Sequence, residues 1–416
     1  AKGKMTRVED RNGNALRLTY SDDGRLIYIS DGQGANGRAR EMLFTYSLDY
    51  LADGGPRKLI KVTDRGPNRS VTFSHTGNDL TGVTDVRGHV TSYAYDPGSL
   101  KTGMTRPKSN VPFMQAWNDN RQVVEQWNAD GHKYKMTYDG SETTITDPLD
   151  HTVVHTHTET GELTRRVDES GMAFQLGSDV TGRRNALTDR LGDTTNTTYQ
   201  TESGKVLSVT NADGTSYGYS YSPRVVNGLT HHDRTGVTHA DATTELMEYD
   251  AGGNLTSHTD AAGFDATATF DAKGLALTRT NREGGTTVNL FNDDTTLASS
   301  TDPANNLTTF GYDAQRRVDL VTFADGHTRG FTYDLANNVL TSTNENTHTI
   351  TRSYDKNGNL ATYQTPLLET TTFAYDGNDR LLSTTDPLSG VTQRTYTPRG
   401  RLQTLTDPNN NTHTFG

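Results

Sequence analysis

An aromatic residue recurs at Tyr249, Phe270, Phe291, Tyr312, Tyr333, Tyr354, Tyr375 and Tyr396, and every interval is 21 residues. Six positions after each stands Leu255, Ala276, Leu297, Val318, Val339, Leu360, Leu381 or Leu402. Ten positions after, Thr fills seven of the eight copies, with Gln364 as the exception, and the next position is Asp or Asn in six. A fixed period of this kind means one supersecondary unit stacked on copies of itself. The upstream half carries the unit at looser spacing. Its aromatic slots read as Tyr20, Tyr46, Phe73, Tyr95, Trp117, Tyr138, Tyr199 and Tyr221, with His157 and Ser178 filling the slots between Tyr138 and Tyr199. About 18 units result. Irregular spacing around 46–73 and 221–249 predicts loop insertions there.

Each unit reads as two short strands and two turns. In 354–375, Asn357-Gly358 offers a pair that tolerates positive φ, as tight hairpin turns require. The second turn is often Asp-Pro or Asp-Gly, as at Asp147-Pro148, Asp302-Pro303, Asp325-Gly326, Asp386-Pro387 and Asp407-Pro408. Pro presets φ there, and the Asp side chain bonds nearby amides. A Thr-rich strand such as 370–375 then leads to the next aromatic. The strands are polar on both faces, and large apolar residues keep to fixed slots. Stacked units therefore predict continuous Tyr/Phe and Leu/Val columns.

Composition agrees. Hydrophobic residues make up 31% of the 416, and about one residue in six is Thr, which favours strands. The chain carries 33 aromatic residues (12 Phe, 2 Trp, 19 Tyr) and 12 Pro, so it is not of disordered composition. The formal charge of −11 argues against a nucleic-acid partner. No apolar run approaches the roughly 20 residues of a membrane-spanning helix. There is no Cys, hence no disulfide and no thiolate chemistry. About 36 strands at about 4.8 Å give a ribbon about 170 Å long, which strand twist must curl.

The repeat names a family. Tyr-Asp opens units at 95, 138, 249, 312, 333, 354 and 375; Tyr-Asp-x-x-Gly-Asn-Leu stands at 249–255 and 354–360; Thr-Asp-Pro stands at 146–148, 301–303, 385–387 and 406–408. The chain resembles the YD-repeat, or Rhs (rearrangement hot spot), family over essentially its whole length. That resemblance implies an all-β fold in which tandem β-hairpins form a long, curved, spiralling antiparallel sheet, part of a hollow β-barrel-like shell. It implies one repeat array over 1–416, irregular over 1–248 and strictly periodic over 249–416, expected to be a fragment of a larger chain. In bacterial Rhs proteins and in Tc insecticidal toxins such a shell encloses a C-terminal toxin; teneurins use a similar shell for adhesion. Neither the family's paired Asp-Pro core motif nor a toxin domain is read here: Asp386-Pro387 and Asp407-Pro408 are repeat turns 21 residues apart.

Other motifs yield to the repeat. Gly214-Thr215-Ser216-Tyr217-Gly218 matches G-x-S-x-G, but a nucleophile elbow needs a helix after it, and here the repeat expects a strand. Gly32-Gln33-Gly34-Ala35-Asn36-Gly37, with Asp53 downstream, matches G-x-G-x-x-G without a βαβ context, and reads as a glycine-rich insertion. His151, His155 and His157 would share a strand face; scattered imidazoles on a polar wall explain them, as they do His231, His232 and His239. The Asp- and Asn-rich turns match no EF-hand loop. No catalytic, cofactor-binding or metal site is expected, and no cofactor.

The resemblance implies a non-catalytic shell segment that encapsulates a toxin polypeptide, with that cargo or the rest of the shell as partner. It would be secreted or at the cell surface, delivered by a bacterial export or contact-dependent system. A secretion-machinery or cell-surface glycan partner is also implied. The alternative is an adhesion or carbohydrate-binding module with contacts near 30–60 and 222–248. A β-propeller would need about nine two-unit blades, outside the usual four to eight.

Overall fold

The computed structural model describes residues 3–32, 40–47, 57–66, 68–226 and 228–415. It is all-β: 38 strands form one sheet, from Arg7–Glu9 to Thr412–Thr414. Each strand pairs antiparallel with the next in sequence, as Thr349–Tyr354 does with Leu360–Gln364 and that strand with Thr370–Tyr375. The sheet is open, its two terminal strands each having one ladder neighbour.

The 21-residue pattern is written into the ladder. In each regular repeat the register slips by one residue just before the aromatic, a β-bulge. The bulge sets Tyr354 opposite Leu360, Tyr375 opposite Leu381 and Tyr396 opposite Leu402, so the aromatic and the aliphatic residue six positions on are cross-strand partners. Such pairs contribute roughly 0.2–1 kcal/mol each. Strand alternation puts Ile350, Arg352 and Tyr354 on one face and Thr351 and Ser353 on the other. The second face carries hydroxyl pairs: Ser353 with Thr362, Thr332 with Thr341 and Thr395 with Thr404, each at 2.6 Å.

Each tyrosine hydroxyl also reaches back to the previous repeat. Tyr312, Tyr333, Tyr354, Tyr375 and Tyr396 donate to the carbonyls of Leu297, Val318, Val339, Leu360 and Leu381, at 2.6–3.0 Å. Every acceptor lies 15 residues upstream, in the aliphatic slot. Phe291 has no hydroxyl, and Asn289 Nδ2 donates to the matching carbonyl, Ala276, at 3.0 Å instead.

The turns refine the sequence reading. Asp355 N donates to Asn359 O at 2.8 Å, Gly358 N donates to Asp355 O at 3.0 Å, and Gly358 has φ +92°. Only Gly358 is left-handed, so the expected Asn357-Gly358 pair becomes a single left-handed residue closing a longer turn. The upstream slot assigned to Phe73 belongs to His75: the bulge falls between Ser74 and His75, and His75 pairs with Leu80. His157 and Ser178 do sit at bulges. The insertion expected over 222–248 takes the form of strand. Ser216–Val226 and Leu229–Thr238 run as one long hairpin, paired out to Val226 and Leu229.

The ribbon is one layer thick, so it buries little. The buried side chains among the described residues are Val237, Met247, Thr63, Ser299 and Asn254. Asn254, a polar residue, is the most buried of them at 4% exposure. Its burial marks where the ribbon meets itself.

Candidate functional site: the seam between revolutions

Each unit has a first turn, after the aromatic, and a second turn, before the next aromatic strand. First turns line one edge of the ribbon and second turns the other. In the first turn Asp355 Oδ1 accepts from the amides of Asn357 and Asn359, both at 2.9 Å. The fifth residue then reaches back to the other carboxylate oxygen: Asn338 to Asp334 and Asn254 to Asp250 at 2.9 Å, Arg317 to Asp313 and Arg380 to Asp376 at 2.7 Å. This bond explains why Asn or Arg follows the glycine slot. Arg317 and Arg380 also lie 4.5 Å from the ring centroids of Tyr333 and Tyr396 in the next repeat, a cation–π arrangement.

These first turns meet the second turns of the ribbon one revolution earlier. Arg11 donates to the Gly253 carbonyl and, at 3.3 Å, to Asn254 Oδ1; Asn14 Nδ2 donates to Lys273 O at 2.9 Å. Arg69 Nη1 donates to Leu335 O at 2.9 Å and Asn337 Oδ1 at 2.8 Å. Arg106 pairs with Asp379 at 2.6 Å, and Lys108 with Asp355 at 2.8 Å. Asn110 Nδ2 donates to Gly377 O at 2.8 Å, and Asn357 Nδ2 returns a bond to Asn110 Oδ1 at 2.9 Å. At other turns the polarity is opposite: Arg316 pairs with Asp31 at 3.5 Å, Arg380 pairs with Asp130 at 2.7 Å, and Arg399 bridges Asp147 and Glu169.

The joined residues lie 230 to 285 positions apart, about 12 repeats. The ribbon is therefore a spiral whose second revolution is stitched to its first by polar side chains. A revolution of about 24 strands at about 4.8 Å has a circumference near 115 Å and, if round, a diameter of about 37 Å.

Two of the seam carboxylates, Asp355 and Asp147, have lowered pKa values. Burial raises the pKa of Asp355, but hydrogen bonds from Lys108 and Asn359 and the lysine charge outweigh it, leaving the group below the usual carboxylate range. For Asp147, burial is likewise outweighed by the amides of Leu149 and His151 and by Arg399.

The residues singled out in the sequence fall out as follows. His155 and His157 share a strand, with ring centroids 6.1 Å apart, while His151 turns into the seam beside Asp147 at 3.5 Å. Asp147, His151 and Glu169 form, among the described residues, the one group whose ligand atoms lie within 4.8 Å of one another, but Arg399 occupies both carboxylates. Ser216 opens a strand and touches Thr210 Oγ1 at 3.2 Å, with no helix after it. Gly34, Gly37 and Asp53 lie outside the described residues. His239 and His258 each contact a separate oxygen of Glu245, at 2.8 and 2.9 Å, beside a cleft of about 600 Å³ lined by Tyr217, His239, Asp241 and Asp260. Sequence reading missed the tyrosine hydroxyl bonds and the seam. The first had a signal, the preference for Tyr over Phe in the slot. The second had none, since a 21-residue period carries no count of repeats per revolution.

Comparison with known proteins follows the geometry. The family model of the RHS repeat matches residues 375–412. The same unit recurs at 21-residue spacing from Tyr249 onward, so the likeness to the RHS repeat extends in pattern beyond the matched segment. The crystal structure of TcdB2-TccC3-Cdc42 superposes with TM-score 0.63 at 14% identity, covering 96% of this chain and 26% of that one. That of TcdB2-TccC3 gives TM-score 0.59 at 13% identity, covering 97% and 28%. TcdB2-TccC3 without its hypervariable C-terminal region gives 0.52 at 14%. At these identities the likeness is one of fold. The chain spans about a quarter of the length of the solved chains it resembles. No helix among the described residues is long and apolar enough to cross a membrane.

Proposed function

We propose that this chain is a non-catalytic wall segment of an Rhs/YD-repeat toxin shell, one that encloses a toxin polypeptide and helps deliver it. The observation that carries this reading is the seam: a ribbon that passes one full revolution and locks to itself makes a wall around a space. A lumen inside a wall of about 37 Å diameter holds an extended or partly folded chain. The face opposite the tyrosines carries cross-strand Thr and Ser pairs, interrupted by exposed Leu290 and Leu320, and a mostly polar wall of this kind suits a cargo that must be released. The single repeat array over 1–416 then acts as one segment of a larger shell. The resemblance to Tc toxin and Rhs proteins supports a reading in which the whole protein works outside the producing cell, as part of a secreted complex.

The test is limited proteolysis of the natural full-length protein. A C-terminal segment should stay protected while the shell is intact. It should become cleavable when Arg399→Glu and Arg106→Glu open the seam. A segment equally cleavable in both forms overturns encapsulation.

The hairpin 216–238 favours a second reading, as a surface contact. It runs past the neighbouring turns and exposes Val225 and Leu229. Glycan-array or cell binding lost on trimming 223–232 would support an adhesion module.

A further inference from the structure

The two faces of the sheet differ in charge. Ladder register with the aromatic slots puts Lys101, Arg166, Arg234, Arg279, Arg352 and Arg394 on the tyrosine face, and among the described residues none of them has an ion-pair partner. Arg69, Arg184 and Arg329 stand on the same face, beside the carboxylates of Asp64, Glu162 and Glu345 respectively. Among the described strands, the carboxylates of this face are Asp64 and Glu245, and Glu245 is held between His239 and His258. The opposite face is balanced. There Arg7, Lys133 and Arg224 pair with Glu9, Glu125 and Asp233. Arg17, Lys61, Lys135 and Arg165 are offset by Glu41, Glu142, Glu248 and Asp265. A chain of net charge −11 therefore keeps one sheet face cationic.

The free cations are held in place by the sheet. Arg352 and Arg394 occupy the same slot two repeats apart. Each donates through Nη1 to a hydroxyl of the preceding repeat, Ser342 and Thr384, both at 3.1 Å. Arg352 also lies 5.6 Å from the Tyr363 ring centroid. Arg166, Arg234 and Lys101 lie 5.9, 6.0 and 4.8 Å from the rings of Phe174, Tyr219 and Phe113. A guanidinium has five N–H donors in a planar fork, so one spent on a hydroxyl leaves room for a carboxylate. The strands of Arg352 and Arg394, Thr349–Tyr354 and Val391–Tyr396, stand four apart in the ladder. That is about 19 Å, which an extended chain spans in about six residues. Tyr363 and Phe373 stand between them on the same face.

We propose that the tyrosine face binds an acidic polypeptide segment, its carboxylates taken by these guanidiniums and its other side chains laid on the rings between them. Charge complementarity specifies this occupant. A strand of six residues makes the strip about 20 Å wide. Turns that open with Asp, such as Asp355 and Asp386, border it on both sides. A single extended chain fits between those borders, whereas the phosphates of a nucleic-acid duplex would meet their carboxylates. Recognition of this kind needs no enclosed toxin, so its failure would leave the shell reading standing.

The experiment uses the intact chain and three labelled probes: a peptide alternating Glu with Thr, its Gln counterpart and an oligothymidylate. Anisotropy is read at about 150 mM salt, where exposed charges interact only within about 8 Å. The Glu peptide should bind and the Gln peptide should not. Arg352→Gln with Arg394→Gln should weaken the Glu peptide about tenfold. Lys135→Gln with Arg165→Gln removes equal charge from the opposite face and should leave binding unchanged. Thr371→Arg adds a cation between Arg352 and Arg394, at the slot that Arg329 fills two repeats earlier. It should tighten binding, a gain that an unfolded variant cannot mimic. Equal losses from the two charge pairs overturn the proposal. So does equal binding of the Gln peptide, tighter binding of the oligothymidylate, or self-association of the chain that is lost with Arg352 and Arg394.

Discussion

A single hydroxyl per repeat does much of the work that a hydrophobic core does elsewhere. Tyr354 donates to the Val339 carbonyl at 3.0 Å, tying one hairpin to the one before it. Tyr354→Phe should lower stability by about 1 kcal/mol, the usual net worth of such a bond, measured by urea denaturation. Phe291→Tyr should gain nothing by itself, because Asn289 already serves the Ala276 carbonyl, and should compensate for Asn289→Ala. Backbone strain is the second residue-scale lever. Thr347 has φ +62° at a position that suits glycine, and Thr347→Gly should stabilise by about 1 kcal/mol. A loss of stability there would show that the Thr347 side chain makes a compensating contact.

At the scale of the element, each first turn is a capped loop whose Asp holds two amides and whose fifth residue locks the Asp. Asp355→Ala removes that cap together with the Lys108 pair, and should cost about 2 kcal/mol. Lys108→Ala removes only a partly exposed pair and should cost less than about 1 kcal/mol. The pH dependence has a definite sign. Asp147, Asp250, Asp313 and Asp355 have lowered pKa values, so their contribution is present above the unfolded value and is lost as pH falls through the folded one. His155 is lowered by burial and by Arg166 and His157, and His75 by burial and Lys58, so these two lose stability below their ordinary value of 6.5. Thermal melts should therefore show Tm flat above about pH 6.5, sagging slightly below it and falling steeply below about pH 4. The element was the most legible level in the sequence. Tyr-Asp, the aliphatic residue six positions on and the Thr-Asp turn located strands to within a residue or two, because local hydrogen bonds fix them. Phe73 misled, since an aromatic lies two positions from the true slot at His75 and only the bulge tells them apart.

For the whole molecule, the sequence supported a curled ribbon from strand number and twist, and family resemblance supported a shell. Neither located the seam. Its partners, such as Arg69 with Asn337, are surface residues of unremarkable type 268 positions apart, and only curvature summed over a dozen repeats brings them together. The order of charges along the seam, with Asp31 facing Arg316, Arg106 facing Asp379 and Asp147 facing Arg399, then fixes the register, since sliding by some repeats would set Arg106 or Lys108 against Arg399. A hollow spiral should scatter with a radius of gyration above the roughly 22 Å of a compact chain of this length.

The central claim is that the second revolution lies on the first, and Lys108 with Asp355 reports it directly. Their charged atoms are 2.8 Å apart across 247 residues of sequence. Zero-length carbodiimide coupling of the intact chain, followed by peptide mapping, should recover a Lys108–Asp355 cross-link that disappears in Asp355→Asn. Lys108 coupled only to carboxylates of its own or adjoining repeats would contradict the spiral.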